Sequence, residues 1–181
     1  MEIYVLRHGT TNWNEKGIIQ GRRHNRLSKN GVKLVQERAE ENKDLPVDII
    51  YASPLFRTMQ TTNIFNKYHN AKVIKDDRLL EINQGILSGR KRSTLNEEEK
   101  QQRNLRSKSY GMESYKEVYE RAKLFIEDII KNEKHEHILI VSHNCVCSYI
   151  DCVLTKRKPE FDDPKKACIF GNAELKKYSI N

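Results

Sequence analysis

Ile3-Tyr4-Val5-Leu6-Arg7-His8-Gly9-Thr10 decides how this chain is read. Four apolar residues rich in β-branched and aromatic side chains have the length of a buried strand. The run ends on arginine, histidine and glycine. Imidazole is a nucleophile at neutral pH. Arginine is a permanently charged fork that matches phosphate oxygens. Glycine lets the backbone approach an anion closely. A second histidine has the same context, because Ile138-Leu139-Ile140-Val141 runs into Ser142-His143-Asn144.

Working outward, short apolar runs alternate with amphipathic segments, and no internal repeat or low-complexity linker interrupts them. Residues 28–43 read as a helix capped by Ser28. Residues 47–52 are a strand candidate. Ser53-Pro54 then predicts a helix start, with Ser as N-cap and Pro at the first helical position. Lys72–Lys75 is a weaker strand. Residues 112–132 carry the clearest helical period, with Tyr115, Val118, Tyr119, Ala122, Phe125, Ile126, Ile129 and Ile130 as core candidates. Residues 137–141 read as a strand and 144–154 as a helix. Two short strands, near 168–170 and 174–179, close the pattern. Alternation of this kind predicts an α/β fold of three layers, α/β/α, around a mostly parallel sheet covered on both faces. Sites in such sheets form outside the carboxyl ends of the strands. His8, Ser53, Arg57 and His143 all fall at or just beyond such ends.

The bulk properties exclude several classes. The 181 residues suit one domain spanning 1–181. No apolar run approaches the roughly 20 residues that span a bilayer, so no membrane partner is expected. The start of the chain has no basic n-region or apolar h-region, which predicts a cytoplasmic protein. Cys145, Cys147, Cys152 and Cys168 are then free thiols. The first three share one predicted helix without C-x-x-C spacing, which points to packing rather than metal. The net charge of +8 raises the question of nucleic acid. The basic residues are spread along the chain and no nucleic-acid motif accompanies them, so no nucleic-acid partner is expected. A phosphate-ester substrate suits the same charge. There is no Walker loop, no dinucleotide glycine motif and no Asp/His metal set, so neither cofactor nor metal is expected. No motif sets an oligomeric state.

The motifs together resemble the histidine phosphatase superfamily, in its phosphoglycerate mutase-like branch. The resemblance runs from about residue 2 to 178. It rests, in order, on Arg7-His8-Gly9-Thr10 with Trp13-Asn14; Gln20-Gly21; Ser53-Pro54-Leu55-Phe56-Arg57-Thr58 with Thr61; Leu80-Glu81 with Gly85 and Gly89; Glu113-Ser114-Tyr115; Ser142-His143; and Asn172-Ala173. It implies a phosphoglycerate mutase-like fold and a phosphoric monoester hydrolase that works without a metal. His8 resembles the nucleophile that becomes phosphohistidine. Arg7, Arg57 and His143 resemble the phosphate pocket, where fixed positive charge meets the equatorial oxygens. Glu81 resembles the general acid, with a pKa expected to be raised beside phosphate. Asn14, Gln20 and Thr10 resemble substrate-phosphate contacts, with Gly21 and the backbone of Asn144 on the same rim. Trp13 is expected to pack.

Departures from the family pattern cluster where substrates are chosen. Asn144-Cys145 follows the second histidine in place of Gly-Gly or Gly-Asn. Gly85-Ile86-Leu87-Ser88-Gly89 replaces a Gly-x-Trp-Glu-Gly-like stretch. Arg22-Arg23-His24-Asn25-Arg26-Leu27 lacks the usual Asp and Pro. Only 61 residues separate Glu81 from His143, and mutases of the family carry extra covering segments, so a phosphatase acting on a small phosphorylated substrate is the favoured expectation. A cofactor-dependent phosphoglycerate mutase is the alternative. A catalytically inert phosphate-binding module is disfavoured by the presence of His8, Glu81 and His143 together. The basic clusters Arg22-Arg23-Arg26 and Arg90-Lys91-Arg92 are expected either to read a second anionic group on the substrate or to be solvated surface.

Overall fold

A computed structural model describes residues 1–162 and 169–180. Along the chain run β1 (Glu2–Arg7), α1 (Asn12–Glu15), α2 (Lys29–Glu41), β2 (Ile49–Ala52), α3 (Phe56–His69), β3 (Lys72–Lys75), α4 (Glu97–Asn104), α5 (Tyr115–Asn132), β4 (His137–Ser142), α6 (Asn144–Leu154) and β5 (Leu175–Ser179). The sheet has the order β3-β2-β4-β1-β5. The first four strands are parallel and β5 pairs antiparallel to β1.

The alternation of strand side chains explains the three layers. Ile3, Val5, Ile49, Ile138 and Ile140 point to one face and pack with Val118, Phe125 and Ile126 of α5 and Val146 and Ile150 of α6. Tyr4, Leu6, Ile50, Leu139 and Val141 point to the other and pack with Val35 and Ala39 of α2 and Phe65 of α3. A strand buried on both faces has no polar side to show, which is why β1 and β4 read as continuous apolar runs. Among the described residues no helix is long and apolar enough to cross a membrane.

Several boundaries differ from the sequence reading. Ser53 does not cap α3. The cap is Leu55, without a side-chain hydrogen bond, and Pro54 lies two residues before the first helical position. The Ser53 hydroxyl is instead engaged by His143 Nε2 at 2.8 Å, so the rim takes the group that a helix start would have used. α5 begins at Tyr115 rather than 112, because Met112 bridges to Gln84 and Ser114 forms a capping box with Glu117. Near the end of α5, Ile129 takes the core position and Ile130, about 100° round the helix, is 46% exposed. Of the strand expected near 168–170, Cys168 lies outside the described residues. Ile169 and Phe170 are not strand. Phe170 donates its N–H to Asn144 Oδ1 at 2.9 Å and accepts from Arg7 Nη1 at 2.5 Å. Cys145, Cys147 and Cys152 are buried free cysteines.

Gly9 serves α2 rather than an anion. A Cβ there would lie 2.4 Å from Val35 Cγ2 and 2.9 Å from the Gly31 carbonyl oxygen. Gly31 is its counterpart, since a Cβ would stand 1.9 Å from the Thr10 carbonyl oxygen. The two glycines let α2 cross directly under the turn that follows His8. Gly31→Ala must push backbone against backbone. It is expected to cost about 2 kcal/mol, read by thermal unfolding as a Tm lower by roughly 4–8 °C at this chain length.

Candidate active site

The carboxyl ends of β2, β4 and β1 are neighbours in the sheet, so Ser53, His143 and His8 emerge side by side. The backbone links them: Ser53 N–H donates to Val141 at 3.0 Å and His8 N–H to Ser142 at 3.0 Å. The incoming end of β5 secures the same turn. Arg7 N–H donates to Glu174, while Ala173 N–H and Asn172 Nδ2 both donate to the His8 carbonyl at 3.2 Å. Above these ends opens a pocket of about 320 Å³.

His8 is buried, with its ring edge-on to His143 at 5.2 Å between centroids. Its Nδ1 lies 2.6 Å from the Gly9 carbonyl oxygen. A carbonyl can only accept, so Nδ1 carries the proton. Burial, together with the charges of Arg57 and Arg7, holds the ring well below the usual imidazole range. His8 is therefore neutral, and its Nε2 has a bare lone pair on a residue that lines the pocket.

Arg57 sits in the first turn of α3 and is 1% exposed. Its Nε donates to His143 Nδ1 at 3.2 Å, Nη1 to the Arg23 carbonyl at 3.0 Å and Nη2 to the Gly21 carbonyl at 2.9 Å. One N–H remains on each terminal nitrogen for a ligand. Burial lowers its pKa to about 10, against the pull of Glu81, so it stays charged at neutral pH. Because His143 Nδ1 accepts from Arg57, its Nε2 carries the proton to Ser53. Burial and the Arg57 charge also hold His143 well below the imidazole range. The positive charge beside the His8 ring thus comes from Arg7 and Arg57, and His143 is a neutral strut behind Arg57.

Glu81 follows a 3₁₀ turn, Asp77–Leu79, whose Leu79 carbonyl accepts from the Ser142 hydroxyl at 2.8 Å. Arg22 Nε holds the Glu81 carbonyl at 3.0 Å. The carboxylate lines the pocket and accepts from Ile82 N–H at 2.9 Å. Burial raises its pKa above the usual carboxylate value, in spite of Arg57 and Arg7 nearby.

A neutral histidine, two arginines and a carboxyl group with a raised pKa face one cavity in a sheet of this order. The match to the description "Histidine phosphatase superfamily (branch 1)" covers residues 3–179. The chain belongs to the histidine phosphatase superfamily. Phosphoserine phosphatase 1 of Hydrogenobacter thermophilus is 33% identical over 164 residues, which is 85% of this chain and 76% of that protein. The fold is shared with a mycobacterial glucosyl-3-phosphoglycerate phosphatase (TM-score 0.81, 21% identity, 98% of this chain and 92% of that one). It is shared also with a phosphoglycerate mutase from Bacillus anthracis (TM-score 0.77, 22% identity, 98% and 86%).

The structure brings Arg7, His8, Asn14, Gln20, Gly21, Arg57, Glu81 and Asn144 to the pocket wall of this superfamily member. Thr10 is not among the lining residues, and its carbonyl accepts from Ser28 N–H at 2.9 Å. The first turn of α6 contributes Asn144 and Cys145, so its positive end faces the cavity. Sequence reasoning missed Thr11, which orients two pocket amides. Thr11 N–H donates to Asn14 Oδ1 at 3.0 Å, and its hydroxyl faces both Asn14 Oδ1 at 2.9 Å and Gln20 Oε1 at 3.1 Å. The only sequence signal was the Thr-x-x-Asn spacing of the capping box. Gln84, Arg103 and Tyr115 also line the pocket without having been singled out for it. Among the described residues, no group of three or more His, Cys, Asp and Glu side chains gathers as a metal site requires.

The basic clusters divide. Arg22 is paired with Glu113 at 3.1 Å and Arg90 with Glu99 at 2.7 Å. Arg26 lies over the Phe56 ring, 5.8 Å from its centroid. Of the six residues, Arg92 reaches the pocket wall, where Arg103 of α4 joins it.

The two buried imidazoles make a stability prediction. Their folded pKa values lie below the unfolded value near 6.5. As pH falls through 6.5, the unfolded chain binds protons that the fold excludes, so stability falls. Glu117 and Glu133, lowered to about 2, lose their contributions only below about 4.5, outside this window. Tm is expected to drop between pH 7 and 5, with a smaller drop in His8→Asn. An equal drop in the variant would show that His8 is not held neutral.

Proposed function

We propose that this chain is a metal-independent phosphomonoesterase that hydrolyses a small phosphorylated metabolite through a phosphohistidine at His8. The observation that carries this reading is the neutral His8 ring, with Nδ1–H fixed on Gly9 and Nε2 left for phosphorus between Arg7 and Arg57. Attack by Nε2 forms the P–N bond as the P–O bond to the leaving group breaks. Glu81, whose pKa burial raises, gives its proton to the leaving oxygen. The resulting carboxylate then takes a proton from water as that water attacks phosphorus, and the P–N bond breaks to release phosphate. Throughout, the arginines and the amide donors of Asn14, Gln20 and Asn144 hold the equatorial oxygens. Arg92 and Arg103 supply positive charge to a second anionic group on the substrate. The phosphoserine and glucosyl-3-phosphoglycerate named for the relatives both carry one.

The test is phosphate release from p-nitrophenyl phosphate and a panel of metabolite monoesters, with EDTA present. Release that survives EDTA is expected. Release abolished by EDTA would overturn the metal-independent mechanism. Interconversion of phosphoglycerates without phosphate release would replace hydrolysis by the mutase reading.

A further inference from the structure

Four side-chain amides line the pocket, and their oxygens are all turned away from it. Asn14 and Gln20 give theirs to Thr11, Asn144 gives Oδ1 to Phe170 N–H at 2.9 Å, and Gln84 gives Oε1 to Arg106 Nη1 at 2.9 Å. Each therefore presents its NH₂ group inward. Three of them suit the oxygens of the transferred phosphate. Gln84 stands apart, on the loop that carries Glu81, where the leaving group must lie to receive its proton.

The Gln84 orientation is built in. Arg106 is 7% exposed and uses two nitrogens on this loop and a third on Glu113, whose N–H donates to the Asn83 carbonyl of the same loop. Nε donates to the Glu113 carbonyl at 2.9 Å, Nη2 to the Asn83 carbonyl at 2.6 Å and Nη1 to Gln84. Its guanidinium also lies 5.3 Å from the centroid of Tyr115, another pocket residue. Arg106 holds φ +53 to reach this position. Gln84 Cβ and Cγ rest against Gly21, within 3.1–3.2 Å of where a Cβ would stand. Among the described residues no protein acceptor is recorded for Gln84 Nε2. Guanidinium has donors only, so a rotation of the amide that put its oxygen into the pocket would set two donors face to face.

We infer that Gln84, oriented by Arg106, is a specificity-determining residue that donates a hydrogen bond to an acceptor oxygen on the leaving group. This rests on the phosphomonoesterase reading of the same pocket. Arg106 is the positioning residue. Unlike the charges of Arg92 and Arg103, a neutral donor selects for an oxygen at one place and is little affected by salt.

The experiment compares kcat/KM for phenyl phosphate, whose leaving group has no acceptor beyond the ester oxygen, with that for the best panel ester bearing a carbonyl or carboxylate oxygen. Gln84→Glu keeps the contact to Arg106 and replaces the inward NH₂ by an oxygen. It is expected to lower the ratio of oxygen-bearing ester to phenyl phosphate at least 10-fold. Gln84→Leu, which adds no charge, is expected to lower it about 10-fold. Arg106→Met frees the amide and should lower the ratio with Gln84 intact, and adding it to Gln84→Leu should lower the ratio no further. A ratio unmoved by both Gln84 variants would overturn the inference while leaving hydrolysis of phenyl phosphate in place. Absence of ester hydrolysis in the wild type would overturn the phosphomonoesterase reading and this inference with it.

Discussion

His8→Ala is expected to reduce turnover of every monoester by roughly 10⁴-fold or more. The step it removes has no substitute in the pocket. His143 lies 5.2 Å away between ring centroids, but its Nδ1 accepts from Arg57 and its Nε2 donates to Ser53. Neither nitrogen has a lone pair to offer phosphorus. A covalent trap gives the decisive readout. Mixing wild type with a ³²P-labelled ester and quenching in base should leave label on the protein. Quenching in acid should lose it, because protonation turns the imidazole into a good leaving group. His8→Ala should carry no label under either quench. Label retained by the variant would place the nucleophile elsewhere.

Arg57→Ala is the second large effect, and it acts on rate and stability together. Loss of its donors from the developing phosphoryl charge is expected to cost about 10²–10³-fold in kcat. The same substitution strands the carbonyls of Gly21 and Arg23 and Nδ1 of His143, all now satisfied by one buried guanidinium. The Gly21 carbonyl and His143 Nδ1 are the fully buried two of these three, and leaving both unmet costs about 2–6 kcal/mol, which thermal unfolding reads directly. Arg57→Lys is expected to restore little. One ammonium cannot reach three acceptors in a plane and still face a phosphate. Recovery of more than half the wild-type rate in Arg57→Lys would show that charge alone is needed there.

What the sequence made legible follows from where the signals are short in range. β1, β4 and α6 were plain because burial on both faces writes continuous apolar runs, and His8 and His143 were found because each ends such a run. Ser28 was readable as a cap because capping is a contact over three residues. Ser53 misled for the same reason. Its local pattern is that of a cap, but its hydroxyl is taken by a histidine 90 residues away, and no local rule sees that. The donor orientation of the amides was invisible, since it depends on Thr11, Phe170 and Arg106 reaching across the pocket. The basic clusters could not be divided from spacing either. Glu99 and Glu113, which engage Arg90 and Arg22, reach them only through the fold.

The backbone at His8 is completed by a segment far along the chain. His8 carbonyl accepts from Asn172, 164 positions later, and β5 pairs with β1 from the other side. At roughly 5–20 residues per second on a ribosome, His8 is exposed for about 8–30 seconds before those partners are made. Through that interval β1 keeps one edge unpaired, and the turn bearing the imidazole lacks the hydrogen bonds from Ala173 and Asn172. Docking of β5 is the step that gives β1 its last strand partner and the His8 carbonyl its two donors.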